Sequence, residues 1–202
     1  MGTITHRRTA ALALAAAALV SSSCSTGHSA HAYTSPQIRL VDTSTVNAPA
    51  QPGQVTLLGE RDVEVTLTGP IAARYSAATD AQKAALGKPL TGDFNAGTRP
   101  SGVVFQQFEG GAIVAKNGHA GTPAYIVNGP IRDAWNVTRD ANGEPLDTGN
   151  NGSAGPLGVP TSDETTVGDQ TVSTFEHGKI ALNRTTGQVD VTVNGKSVAS
   201  GL

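Results

Sequence analysis

Three short strings recur in the same order along this chain, and a chain that repeats itself at a steady interval folds as stacked copies of one unit. Leu86-Gly87-Lys88-Pro89 returns 71 residues later as Leu157-Gly158-Val159-Pro160. Phe108-Glu109-Gly110-Gly111-Ala112-Ile113 returns after 67 as Phe175-Glu176-His177-Gly178-Lys179-Ile180. The third string is Thr66-Leu67-Thr68-Gly69-Pro70-Ile71, then Ile126-Val127-Asn128-Gly129-Pro130-Ile131, then Thr192-Val193-Asn194-Gly195, spaced by 60 and 66. The unit is therefore about 65 residues long.

Each string has a local reading. Phe-Glu-x-Gly-x-Ile is strand, tight turn or bulge at glycine, then strand. Pro123 to Val127 and Gly187 to Val193 supply one further strand each, the second alternating apolar and polar residues. That predicts a meander of three short strands per unit. Gly-Pro-Ile then opens a helix, because proline's fixed φ and missing N–H suit the first helical position. Ile71 to Tyr75 and Asp80 to Leu86 are helical in the first copy, and Ile131 to Trp135 in the second, where Ile131 and Trp135 share a face. The third copy stops at Gly195 without a helix. Leu-Gly-x-Pro is expected to follow each helix, glycine giving a left-handed exit and proline preventing resumption. The fold class is thus α+β, rich in β, with two to three incomplete repeats, each a short strand meander followed by a short helix.

Composition agrees with many short elements. The chain has 24 glycines and 11 prolines against 4% aromatic and 15% charged residues. A net charge of −2 argues against a phosphate-binding surface, which needs clustered Lys and Arg, so nucleic acid is not an expected partner.

The N-terminal segment reads as an address. Basic His6-Arg7-Arg8 precedes an apolar run from Ala10 to Val20, which suits the central region of a signal peptide and is too short to span a membrane. Cys24 follows the small residues Ser21-Ser22-Ser23 and is the only cysteine, so no intrachain disulfide is available. Residues 1–23 are read as a lipoprotein-type signal peptide that leaves Cys24 as the lipidated first residue. Cleavage after Ala30-His31-Ala32 is the alternative. Residues 24–54, rich in Ser, Thr, Ala and Pro, are read as a tether, residues 55–196 as the repeat domain and 197–202 as a tail. The expected location is exported, with the lipid on Cys24 holding the protein to the outer face of the cytoplasmic membrane.

The three strings together resemble the LGFP repeat family of actinobacterial cell-envelope proteins, over roughly Val63 to Gly195. Two positions depart from the pattern: Val159 stands where the family name has Phe, and Gly92 replaces the Asp of the acidic run in the first copy. The resemblance implies an envelope protein whose repeats hold it to cell-wall glycan, and it does not imply catalysis. The expected partner is therefore wall polysaccharide, either peptidoglycan or arabinogalactan. Binding to another envelope protein is a second reading and a glycan-cleaving enzyme a third.

The residues offer little for an enzyme. Asn151-Gly152-Ser153-Ala154-Gly155 lacks the first glycine of a nucleophile elbow. His119 and His177 show no metal-ligand spacing, so no metal and no cofactor is expected. For binding, the polar run Thr161-Ser162-Asp163-Glu164 either caps nearby backbone in a turn or offers Ser162, Asp163 and Glu164 to a hydroxyl-rich ligand, with Asp93 the matching acid of the first copy. An apolar platform would come from Trp135, Tyr125, Tyr75, Phe94, Phe105, Phe108 or Phe175. Phe108, Phe175 and Trp135 are expected in the core. Phe105, three residues before Phe108, points to the opposite face of an extended strand and is the expected exposed ring. The loop from Thr138 to Pro156 is either a second contact region or a flexible insertion. An array this short and unevenly capped is also a candidate for self-association.

Overall fold

The structure, a computed structural model, describes residues 53–150 and 155–202. The expected signal segment, Cys24 and nearly all of the tether lie outside the described residues. The described chain builds three layers. The first is a hairpin of β1 (Gln54–Leu58) and β2 (Glu64–Thr68) that runs into helix α1 (Gly69–Ala77). Helix α2 (Asp80–Leu86) then leads to a four-stranded antiparallel meander of β3 (Ala96–Thr98), β4 (Val104–Gln107), β5 (Gly111–Ala115) and β6 (Ala124–Asn128). Helix α3 (Gly129–Asn136) and a hairpin of β7 (Val137–Arg139) and β8 (Pro145–Asn150) follow. The last layer is a five-stranded meander, β9 (Thr165–Val167), β10 (Gln170–Phe175), β11 (Gly178–Asn183), β12 (Val189–Val193) and β13 (Lys196–Val198). The protein is α+β and rich in β; the meanders have four and five strands where the sequence suggested three.

Local chemistry sets the element ends. Thr79 and Gln82 form a reciprocal capping box at the start of α2: the Gln82 N–H donates to Thr79 Oγ1 and the Thr79 N–H to Gln82 Oε1. Gly87 ends that helix with φ of 72°, a conformation that a Cβ would oppose. Helices α1 and α3 both begin at Gly-Pro, with the proline in the first turn. Gly69 and Gly129 turn the chain from strand to helix at φ of 55° and 43°.

The layers bury one another's apolar faces. Between the first and central layers lie Leu67, Ile71, Leu86, Phe108, Ile113 and Ile126. Between the central and last layers lie Phe105, Val114, Val127, Ile131, Trp135 and Phe175, with Ile180 and Val191. One aromatic pair marks each seam: Tyr75 of α1 stacks on Phe108 at 5.8 Å between ring centroids, and Trp135 of α3 stacks on Phe175 at 6.2 Å. Such a pair contributes about 1 kcal/mol beyond its area burial. Trp135 Nε1 also donates to the Gly158 carbonyl at 2.9 Å, so the buried indole N–H is satisfied.

The two meanders share a bonding scheme. Pro89 bridges Phe108 and Pro160 bridges Phe175. The Glu109 N–H donates to the Lys88 carbonyl and the Glu176 N–H to the Val159 carbonyl, at 3.0 and 3.1 Å. The Leu90 N–H donates to Gln107 and the Thr161 N–H to Thr174, at 2.9 and 2.8 Å. In return Glu109 Oε2 accepts from the Lys88 N–H, and Glu176 Oε2 from the Val159 N–H. Glu in Phe-Glu-x-Gly therefore ties the strand turn to the Leu-Gly-x-Pro segment.

Three expectations are corrected here. Gly111 pairs with Asn128 and Gly178 with Val193, so the third string sits one residue further along than the matching Asn-Gly letters suggest. Asn194, at φ of 49°, takes the place of Gly129 and begins an Asn-Gly hairpin turn into β13 where the central layer begins a helix. Second, Leu157-Gly158-Val159-Pro160 follows the β7–β8 hairpin, not a helix; only Leu86-Gly87 ends one. That hairpin occupies much of the Thr138–Pro156 loop, and residues 151–154 lie outside the described residues. Third, 197–202 is anchored: Arg139 donates to the Ala199 and Ser200 carbonyls at 2.7 Å each, as well as to Gly143 and Ala134. Burial lowers the pKa of this guanidinium.

Both outer faces are polar. On the first hairpin Thr56, Glu64, Thr66 and Thr68 face outward beside the exposed Leu58. On the last sheet Lys179 and Thr192 stand where the central sheet has the buried Ala112 and Val127.

Candidate functional site

The polar run that opens the last layer is occupied by protein donors. β6 is an edge strand of the central sheet, so alternate N–H groups along it meet no further strand. Asp163 Oδ1 accepts from the Ile126 N–H at 2.8 Å, and Glu164 Oε1 accepts from the Asn128 N–H at 2.6 Å. Two carboxylates thus do for β6 what a neighbouring strand would do. Asp163 is also held by Arg74 of α1, whose Nη2 and Nε approach its two oxygens at 2.8 and 3.3 Å. Ser162 Oγ accepts from the Thr174 N–H at 3.0 Å. Burial raises the Glu164 pKa from its ordinary 4.5, against the lowering effect of the Asn128 hydrogen bond. Of the two sequence readings of this run, the capping of backbone is what the geometry displays: Asp163 and Glu164 cap the preceding layer, and Ser162 caps β10 of its own.

The matching run of the first copy takes another path. With Gly92 in place of an acid, residues 91–95 have no carboxylate at that position to set against an edge strand. Glu60 instead accepts from the Thr91 N–H and hydroxyl, both at 3.3 Å. Gly92, at φ of 102°, and the Asn95 N–H donating to its carbonyl turn the chain outward. Phe94 is left 93% exposed, the most exposed large apolar residue among those described.

Phe94 borders a pocket of about 630 Å³ lined also by Asp93, Arg99, Phe105, Gln107 and Asn136. Phe105 is only 8% exposed and belongs to the core, so it is the floor of this pocket and not the projecting ring that the sequence suggested. The Arg99 guanidinium lies over the Phe105 ring, 4.7 Å from its centroid, a cation–π contact. Among the described residues no hydrogen-bond or ion-pair partner engages the side chains of Asp93, Gln107 or Asn136. Of the five residues singled out in the sequence, then, Asp93 and Phe105 meet in one pocket, while Asp163 and Glu164 are joined into the β6 seam and Ser162 is bonded to Thr174 of β10. The sequence reading missed Arg99, Gln107 and Asn136. Asn136 reaches the site from the end of α3, and no local pattern signals that.

Other clusters are already committed. A second pocket of about 550 Å³ includes Arg139, Asp140, His177 and Asn194. Arg139 is spent on four carbonyls, and Asp140 Oδ1 accepts from the Asn142 and Glu144 N–H groups of its own turn. The Asp140 pKa is lowered chiefly by the Glu144 N–H. Among the described residues, no set of three or more His, Cys, Asp or Glu converges as a metal site, and no helix is long and apolar enough to cross a membrane.

The family model for the LGFP repeat matches residues 86–143, from the Leu-Gly-x-Pro string through the central sheet and α3 to the turn after β7. No curated protein matches the chain. Residues 86–143 are an LGFP repeat.

Proposed function

We propose that this protein is a non-catalytic envelope module that attaches to cell-wall glycan through the Phe94 pocket, from an N-terminus tethered to the membrane by lipidated Cys24. In this reading residues 157–193 are a second, diverged copy of the LGFP unit and the first hairpin with α1 is a partial one. The supporting observation is the contrast between the two polar runs: the last one is consumed in packing, whereas Asp93 stands beside an exposed aromatic ring. Saccharide sites combine an apolar platform with a few free hydrogen-bonding groups. Phe94 offers the platform, and Asp93, Gln107 and Asn136 offer acceptors and donors for hydroxyls. Attachment requires no covalent step, and the pocket contains no nucleophile paired with a base.

Co-sedimentation of the full chain with insoluble wall material tests this. The expected result is retention that is lost after the glycan is digested. Retention that survives digestion would favour the second reading, an envelope protein as partner, to which a single exposed phenylalanine is also suited. Soluble sugar fragments on prolonged incubation would establish cleavage and overturn the non-catalytic assignment.

A further inference from the structure

The arginines of the described residues fall into two classes. Arg61, Arg74, Arg132, Arg139 and Arg184 each have a carboxylate or carbonyl acceptor. Arg99 has none: its side-chain nitrogens make no hydrogen bond among the described residues, and its Nε is buried without a partner. A half-buried guanidinium held over a phenylalanine ring, 4.7 Å from its centroid, has lost conformational freedom without gaining an acceptor. Its Nη groups are not among the buried unpartnered atoms, so the outer half of the fork is open to an arriving ligand. Planar, preorganised and always charged, that fork matches a carboxylate in bidentate geometry.

The pocket is polarised along β3. Asp93 and Phe94 lie before the strand and Arg99 after it, with Phe105 beneath and no ion pair joining acid to base. A neutral sugar would use Phe94 and Asp93 and leave Arg99 unmatched. We infer that the pocket takes an acidic saccharide, its ring on Phe94, its hydroxyls toward Asp93 and its carboxylate on Arg99. This rests on the glycan reading above and narrows it: a wall glycan with carboxylate-bearing sugars is bound in preference to a neutral one such as arabinogalactan.

The test compares three probes by calorimetric titration of the full chain: the disaccharide of N-acetylglucosamine and N-acetylmuramic acid with its lactyl carboxylate free, the methyl ester of the same disaccharide, and chitobiose. The free acid is expected to bind at least about ten-fold more tightly than either neutral form, as suits hydrogen bonds to a charged group. Arg99→Gln should abolish the difference, while Arg99→Lys should keep part of it at reduced affinity. An unchanged melting temperature in both variants separates loss of the ligand contact from loss of the Phe105 stack. Equal binding of acid and ester by the unaltered protein overturns the acidic preference, and so does binding of no disaccharide while wall material is still retained. If the wall material itself is not retained, the attachment reading is the one that has failed.

Discussion

A single carboxylate, Asp163, joins three parts of the chain: the last layer that carries it, Arg74 on α1 and the Ile126 N–H on β6. Asp163→Ala would leave a half-buried guanidinium and a strand N–H without an acceptor, at a cost of about 2 kcal/mol. Chemical denaturation should show that loss, with no change at the distant Phe94. Glu164 behaves differently with pH. Its folded pKa is raised from 4.5, so the ionised form costs stability above that folded value, and the cost disappears as the pH falls toward 4.5. Relative to Glu164→Gln, the unaltered protein should therefore gain stability between neutral pH and about pH 4.5, measured by melting the pair across that range. The importance of Asp163 and Glu164 was visible in the sequence as an acid pair after Leu-Gly-x-Pro. Their partners were not, because Ile126 and Asn128 lie more than thirty residues upstream and no periodicity records which edge strand a side chain will reach.

At the scale of elements, the seam between turn and strand rests on two glycines. Gly87 and Gly158 have φ of 72° and 73°, and a Cβ on either would come within 2.6 Å of the carboxylate of Glu109 or Glu176. Gly87→Ala and Gly158→Ala should each cost about 1 kcal/mol or more, and by similar amounts, as read from equilibrium melts. A large effect at only one would mean that the two meanders are not equivalent. These positions were legible, since Leu-Gly-x-Pro and Phe-Glu-x-Gly carry their turn chemistry in their own letters. The register of the third string was not: Asn194 adopts the left-handed backbone that Gly129 uses, so matching Asn-Gly to Asn-Gly shifted the alignment by one residue. The β7–β8 hairpin had a signal in Asn142-Gly143, but the expectation of a loop from Thr138 to Pro156 overrode it.

For the whole molecule, stacking works because apolar faces point inward at both seams and polar ones outward at both ends. Made as residues 53–202, the described domain is accordingly expected to sediment as a monomer; a concentration-dependent dimer would point to a further apolar surface. The β-rich character with short helices was legible from the repeated strings, whereas the free pocket was not, since it lies beside Gly92, where the polar run has no acid to match Asp163. Wall binding of Phe94→Ala set against Ser162→Ala, each compared with the unaltered protein in the same co-sedimentation assay, is the most direct test. Loss of retention in Phe94→Ala with Ser162→Ala unaffected is the predicted result. Retention that persists without the Phe94 ring but falls without the Ser162 hydroxyl would contradict the account.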